Sequence, residues 1–122
     1  MGAPVRSYRD LVVWQKAMLL IDELDPIVAS LSAYQRSWLG LQMHRAALSV
    51  ACNIAEGHTS DYQRVYLRHL SIARGSLTEV ETQLLVVQRR KYPRSVDPTR
   101  ALSLTSEIGK MLRALSSRLR GN

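Results

Sequence analysis

The sequence has no phenylalanine, one cysteine and three histidines among 122 residues. A lone thiol excludes an internal disulfide. Cys52 falls in an apolar stretch with helical spacing, with no basic neighbour that would activate it, so a buried structural thiol is expected. One cysteine and His44, His58 and His69 give no zinc spacing. No Glu-x-x-His pair is present, which excludes the usual di-iron bundle site. No Walker loop, G-x-G-x-x-G turn or nucleophile elbow occurs. The expectation is therefore no metal, no cofactor and no catalytic residue. No apolar run approaches the roughly 20 residues of a membrane span. Residues 1–10 lack the apolar segment of a signal peptide, and a soluble cytoplasmic protein is expected.

What the chain does contain is apolar and helix-forming. Hydrophobic residues make up 46% of it, too many for a disordered chain. Leucine, alanine and serine are abundant and strand-type alternation is scarce, which favours helices. A chain of this length supports one domain and one core.

Periodicity predicts four helices, over about 8–31, 33–57, 61–90 and 98–119. Leu11, Trp14, Met18, Ile21, Val28 and Leu31 mark the inner stripe of the first, and Pro26 predicts a kink near Leu24–Asp25. Ser32 and Gln35 form a capping-box pattern before the second. That helix carries Leu39, Met43, Ala46, Ala47, Val50 and Ile54, and Gly57 is placed to end it. Ser60 and Gln63 repeat the capping pattern before the third, whose inner residues are Tyr62, Tyr66, Ala73, Leu77, Val80 and Leu84, with Pro93 as its stop. Asp97-Pro98 opens the fourth, lined by Ala101, Leu104, Ile108, Leu112, Leu115 and Leu119 and closed by Gly121. Short connections make an antiparallel up-down-up-down four-helix bundle the economical all-α arrangement.

The third helix is apolar over about 200° of its circumference, against the roughly 100° that one core contact needs. Leu67, Leu85, Val65 and Ile72 widen it, as Val12, Val13, Leu19 and Leu20 widen the first helix. Burying that excess by self-association predicts a homo-oligomer.

Two passages place polar groups on these apolar helices. Asn53 and Glu56 are one turn apart on the second, Glu79 and Gln83 one turn apart on the third. Such groups need partners when buried. A register-fixing network of Arg45, Asn53, Glu56, Glu79 and Gln83, with Arg68 near it, is expected rather than a catalytic acid pair.

Net charge is +7, and its distribution is lopsided. Basic and acidic residues balance through position 60, so the whole surplus falls in residues 61–122. Most of the cations are arginine, whose planar fork binds phosphate and whose face stacks on bases. Candidate phosphate contacts are Arg64, Arg68, Arg89, Arg90, Lys91 and Arg94, then Lys110, Arg113, Arg118 and Arg120. Trp38 and Tyr92 are candidates for base stacking or surface contact, whereas Trp14 and Tyr66 are expected in the core. The competing reading of the basic face is a scaffold that meets an acidic protein.

Arg64 and His69 also fit R-x4-H, which resembles the active motif of the metal-independent HEPN ribonucleases. An arginine could stabilise a phosphate there while histidine transfers protons. Helical spacing separates the two by about 140°, which argues against a shared site.

Several ordered blocks resemble one known family. They are Tyr8-Arg9-Asp10-Leu11 with Trp14-Gln15-Lys16-Ala17, then Arg45-Ala46-Ala47, Asn53-Ile54-Ala55-Glu56-Gly57, Gly75-Ser76-Leu77 with Glu79, Glu81-Thr82-Gln83-Leu84, and Glu107-Ile108-Gly109-Lys110-Met111-Leu112. The chain resembles the four-helix-bundle proteins encoded by intervening sequences in bacterial 23S ribosomal RNA genes. Their kin include the accessory variability protein of diversity-generating retroelements. The resemblance implies a homopentameric ring with a basic surface that meets RNA or DNA, and no catalytic residues. For the retroelement kin it implies a reverse transcriptase partner. Pro26, Ser32 and Trp38 depart from the family pattern around the start of the second helix.

Overall fold

A computed structural model describes residues 4–92 and 96–121. Among them lie four long helices and no strand: α1 (Val12–Ser30), α2 (Leu41–Thr59), α3 (Gln63–Arg90) and α4 (Thr99–Leu119). The protein is an all-α four-helix bundle. A helical turn at Ala33–Gln35 and a π-helical turn at Arg36–Gly40 lead into α2.

Local chemistry sets most of the boundaries. Ser7 and Asp10 form a reciprocal capping box around a 3-10 turn, Tyr8–Asp10, and Leu11 then runs extended, so α1 starts later than periodicity alone suggests. The Asp10 carboxyl accepts from the backbone N–H groups of Arg6 and Ser7, which hold it below its ordinary value. Ser32 and Gln35 form the anticipated capping box. At α3 the box does not form: Ser60 Oγ accepts from Tyr62 N at 3.2 Å, and Gln63 instead reaches the Leu119 carbonyl. At α4 the Asp97 carboxylate accepts from both the hydroxyl and the backbone N–H of Thr99, and those bonds depress its pKa. Pro26 lies inside α1, which continues to Ser30.

The end of α3 rests on Lys91, at φ 56° and ψ 49° in the left-handed region. The N–H of Tyr92 bonds to the Val87 carbonyl at 3.0 Å and closes the helix. Pro93, the expected stop, lies outside the described residues. A side chain makes this backbone conformation costly. Replacing Lys91 by glycine is expected to stabilise the fold by about 1 kcal/mol, measured by urea unfolding.

Contacts between the helices order the bundle. Lys16 and Glu107 (3.1 Å) and Glu23 and Arg100 (3.0 Å) tie α1 to α4. Ser49 with Ser76 (2.8 Å) and Asn53 with His69 (2.9 Å) tie α2 to α3. In each pair the partner's number falls as the residue's number rises, so these neighbours run in opposite senses. The core is built from Leu20, Leu24, Met43, Val50, Ile54, Leu70, Val80, Leu84, Ile108 and Leu112, all fully enclosed.

Val28 and Leu31 are buried as periodicity suggested, but over the first turns of α1 the inner stripe is rotated from the expected one. Val13, Ala17, Leu20, Leu24 and Ile27 are buried, while Met18 is 40% exposed and Leu11, Trp14 and Ile21 pack at the flank. Val13 and Leu20 are therefore core, not surplus surface. Steps of four and three residues through the smaller side chains define this seam. Tyr62 is likewise exposed, at the mouth of α3. Cys52 is exposed too, contrary to the buried thiol expected. It sits with Leu41, Arg45 and Leu48 on the outer side of α2, opposite Met43, Ala47, Val50 and Ile54.

Candidate nucleic-acid interface

Nine of the ten candidate cations fall within the described residues, and Arg94 lies outside them. Arg64, Arg68, Arg89, Arg90 and Lys91 are exposed on α3 and its exit, and Lys110, Arg113, Arg118 and Arg120 are exposed on or just beyond α4. Ion pairs among the described residues involve Lys16, Arg100, His44 and His69, and none of these nine. These nine cations are thus outward and unpaired among the described residues.

It is not one compact patch. Arg64 and Arg89 are about seven turns apart on α3, roughly 38 Å along its axis. Arg64 lies near the end of α4, where Gln63 touches Leu119 and Arg120 follows. Arg89, Arg90 and Lys91 occupy the opposite end of α3. Between them, Lys110 and Arg113 flank a groove that also takes in Arg74. Arg74 is not among the cations singled out from the sequence; it lines this groove together with Lys110 and Arg113 of α4. Arg118 lies close enough to Tyr66 to oppose, by its charge, the burial that pushes that phenol's pKa up.

The polar network differs from the one expected. His69 is its centre: Nδ1 lies 2.9 Å from Asn53 Oδ1 and 3.6 Å from Glu56 Oε2. Asn53 donates to the Ser49 carbonyl (2.8 Å) and hydroxyl (3.1 Å), and Ser49 meets Ser76 across the helix pair. Only Asn53 and Glu56 of the anticipated set take part. Arg45 and Glu79 are exposed and make no ion pair among the described residues. Gln83 keeps a buried Oε1 with no hydrogen-bond partner among the described residues. Arginine was not needed because serine, asparagine and histidine satisfy one another without introducing a permanent buried charge. This placement also bears on R-x4-H. His69 Nδ1 is held by Asn53, while Arg64, about 140° around the same unbroken helix, is exposed. The two do not converge on one site.

Among the described residues no cluster of histidine, cysteine or carboxylate is suited to a metal ion. No described helix is long and apolar enough to cross a membrane. Trp38 is exposed with Tyr34 beside it, ring centres 6.3 Å apart. Trp14 is half-buried and meets Tyr8 edge-on at 5.2 Å.

Residues 9–114 match the model of the 23S rRNA-intervening sequence protein family. The chain belongs to that family. No curated protein matches it. The matched span takes in α1, α2, α3 and most of α4, including Arg74, Lys110 and Arg113. Arg118 and Arg120 lie past its end. The match to the 23S rRNA-intervening sequence protein family thus covers three of the four helices in full, most of the fourth, and the middle of the basic face.

Proposed function

We propose that this family member is a non-enzymatic protein that binds nucleic acid, RNA first, by its phosphate backbone. The observation that carries the reading is the exposure of nine cations of α3 and α4 with no carboxylate paired to any of them among the described residues. Unpaired guanidinium groups on a surface are free to take phosphate as a partner, and contacts of that kind favour affinity over sequence selectivity. A row of cations along two neighbouring helices suits an extended strand better than a single small anion.

Self-association belongs to the same proposal. Leu41 and Leu48 on the outer side of α2 and Ile72 on the α2-facing flank of α3 are all more than two-fifths exposed. Burying them between copies would yield a homo-oligomer, a pentameric ring by family resemblance, and would repeat the basic face around it. A reverse transcriptase is a candidate protein partner on the same ground, and a cytoplasmic location fits an RNA ligand.

Fluorescence anisotropy of a labelled RNA at low and near-physiological salt tests the reading. Binding that weakens steeply with salt supports it. Absence of RNA binding at either salt concentration rejects it and favours an acidic protein partner.

A further inference from the structure

Four glycines lie inside the helical segments, and two have an evident packing reason. A Cβ on Gly40 would come within 2.9 Å of Val28, and one on Gly57 within 2.9 Å of both His69 and Tyr66. Gly75 and Gly109 have no such reason. A Cβ on Gly75 would meet nothing within 4 Å, and one on Gly109 would make only an ordinary contact with Leu77, at 3.5 Å. Each is a weaker helix former than alanine in the middle of a long helix, so each costs stability without a steric return.

Both glycines line the same groove, between α3 and α4, with a volume of about 590 Å³. Arg74, Lys110 and Arg113 stand around it, against a single carboxylate, Glu81. None of the three cations is in an ion pair among the described residues. Missing side chains keep the groove open where its walls are most basic.

We propose that this groove is a seat for a nucleotide phosphate. Guanidinium forks and an ammonium group in one concave site match a phosphate's several oxygens. The volume is that of a small-molecule cleft, typically about 300–1,000 Å³, and exceeds what a bare phosphate fills. The remaining space accepts a sugar and base, with the hydroxyls of Ser71 and Ser106 at hand. The phosphate is that of a free nucleotide or of a residue in an RNA strand. The strand source rests on the nucleic-acid reading above; the free-nucleotide source does not.

The test uses AMP and a short labelled RNA as probes, titrated against the wild-type chain, Gly75→Leu, Gly75→Ala and the double variant Lys110→Gln/Arg113→Gln. Leucine at position 75 extends into open space and favours helix, so thermal stability should not fall while the groove is filled. Binding at least tenfold weaker in Gly75→Leu and in the double variant, with a smaller loss in Gly75→Ala, supports the proposal. Groove-dependent binding of AMP assigns the seat to free nucleotide; groove-dependent binding of RNA alone assigns it to the strand. RNA binding that is unchanged by Gly75→Leu, with no groove-dependent AMP binding, overturns the groove and leaves the basic face standing. Failure of the wild-type chain to bind either probe overturns both.

Discussion

Replacing Gly57 by alanine is expected to destabilise the bundle by about 1 kcal/mol net, even though alanine is the better helix former. Gly57 is buried where α2 crosses the first turns of α3. An added methyl would stand 2.9 Å from the Cβ of His69 and from Cδ1 of Tyr66, and 3.3 Å from the Tyr66 carbonyl oxygen. The His69 contact is to the root of a side chain and the carbonyl is backbone, so neither can swing aside. Relief requires moving α3 away from α2, and that motion strains the Asn53–His69 bond a turn away. Overpacking of this kind costs roughly 1–3 kcal/mol, against a propensity gain of about 1 kcal/mol. Gly75→Ala is the internal control: with open space at its Cβ, it should raise stability by about 1 kcal/mol. Urea unfolding of the two variants should move the midpoint in opposite directions. Equal shifts would mean that α2 and α3 do not approach as closely as this.

The contrast between the two glycines explains how far the sequence could be read. Gly57 looked like a helix terminator because it follows an apolar run, yet α2 continues to Thr59. The same letter serves for a left-handed turn and for a close helix crossing, and only the crossing partner distinguishes them. The four helices and most of the α2 core were legible because their apolar spacing is a local property. The facing of α1 was not. Both the Leu11–Trp14–Met18–Ile21 stripe and the Val13–Ala17–Leu20–Leu24 stripe have helical periodicity, and only the placement of the neighbouring helices makes the second the buried one. Cys52 was misread for a related reason: an apolar neighbourhood in sequence covers every side of a helix, the solvent side included.

The polar network was legible in position but not in membership. Asn53 signalled a polar group on a helix interface, and burial demands a partner for it. The partner is His69, with Ser49 and Ser76 extending the chain of bonds. Charged residues drew attention because they are costly to bury, yet Arg45 and Glu79 avoid that cost by pointing to solvent. The basic surplus was readable from composition, but Arg74 was not separable from other helix-three polar residues until α4 was seen to place Lys110 and Arg113 opposite it.

RNA affinity is expected to fall about 300-fold or more between 50 mM and 200 mM salt if six or more phosphates of a single strand are contacted. The reason is counterion release: each cation that neutralises a phosphate frees a condensed ion, and the gain shrinks as bulk salt rises. Each cation in contact contributes a slope of about 0.7 in a plot of log affinity against log salt for a single strand. Neutralising Lys110 and Arg113 together should therefore flatten that slope by about 1.4. Arg100 supplies the control. It is exposed on α4 like the others, but its guanidinium lies 3.0 Å from Glu23 on α1. Replacing it by glutamine removes the same formal charge without removing a phosphate contact, so the slope should hold. Anisotropy titrations of one labelled RNA over a salt series measure all three slopes. If Arg100→Gln flattens the slope as much per charge as the Lys110 and Arg113 changes do, net charge alone governs binding and the exposed row on α3 and α4 has no special part in it. A separation of the slopes would tie affinity to where the unpaired cations stand, which is the physical content of the proposed interface.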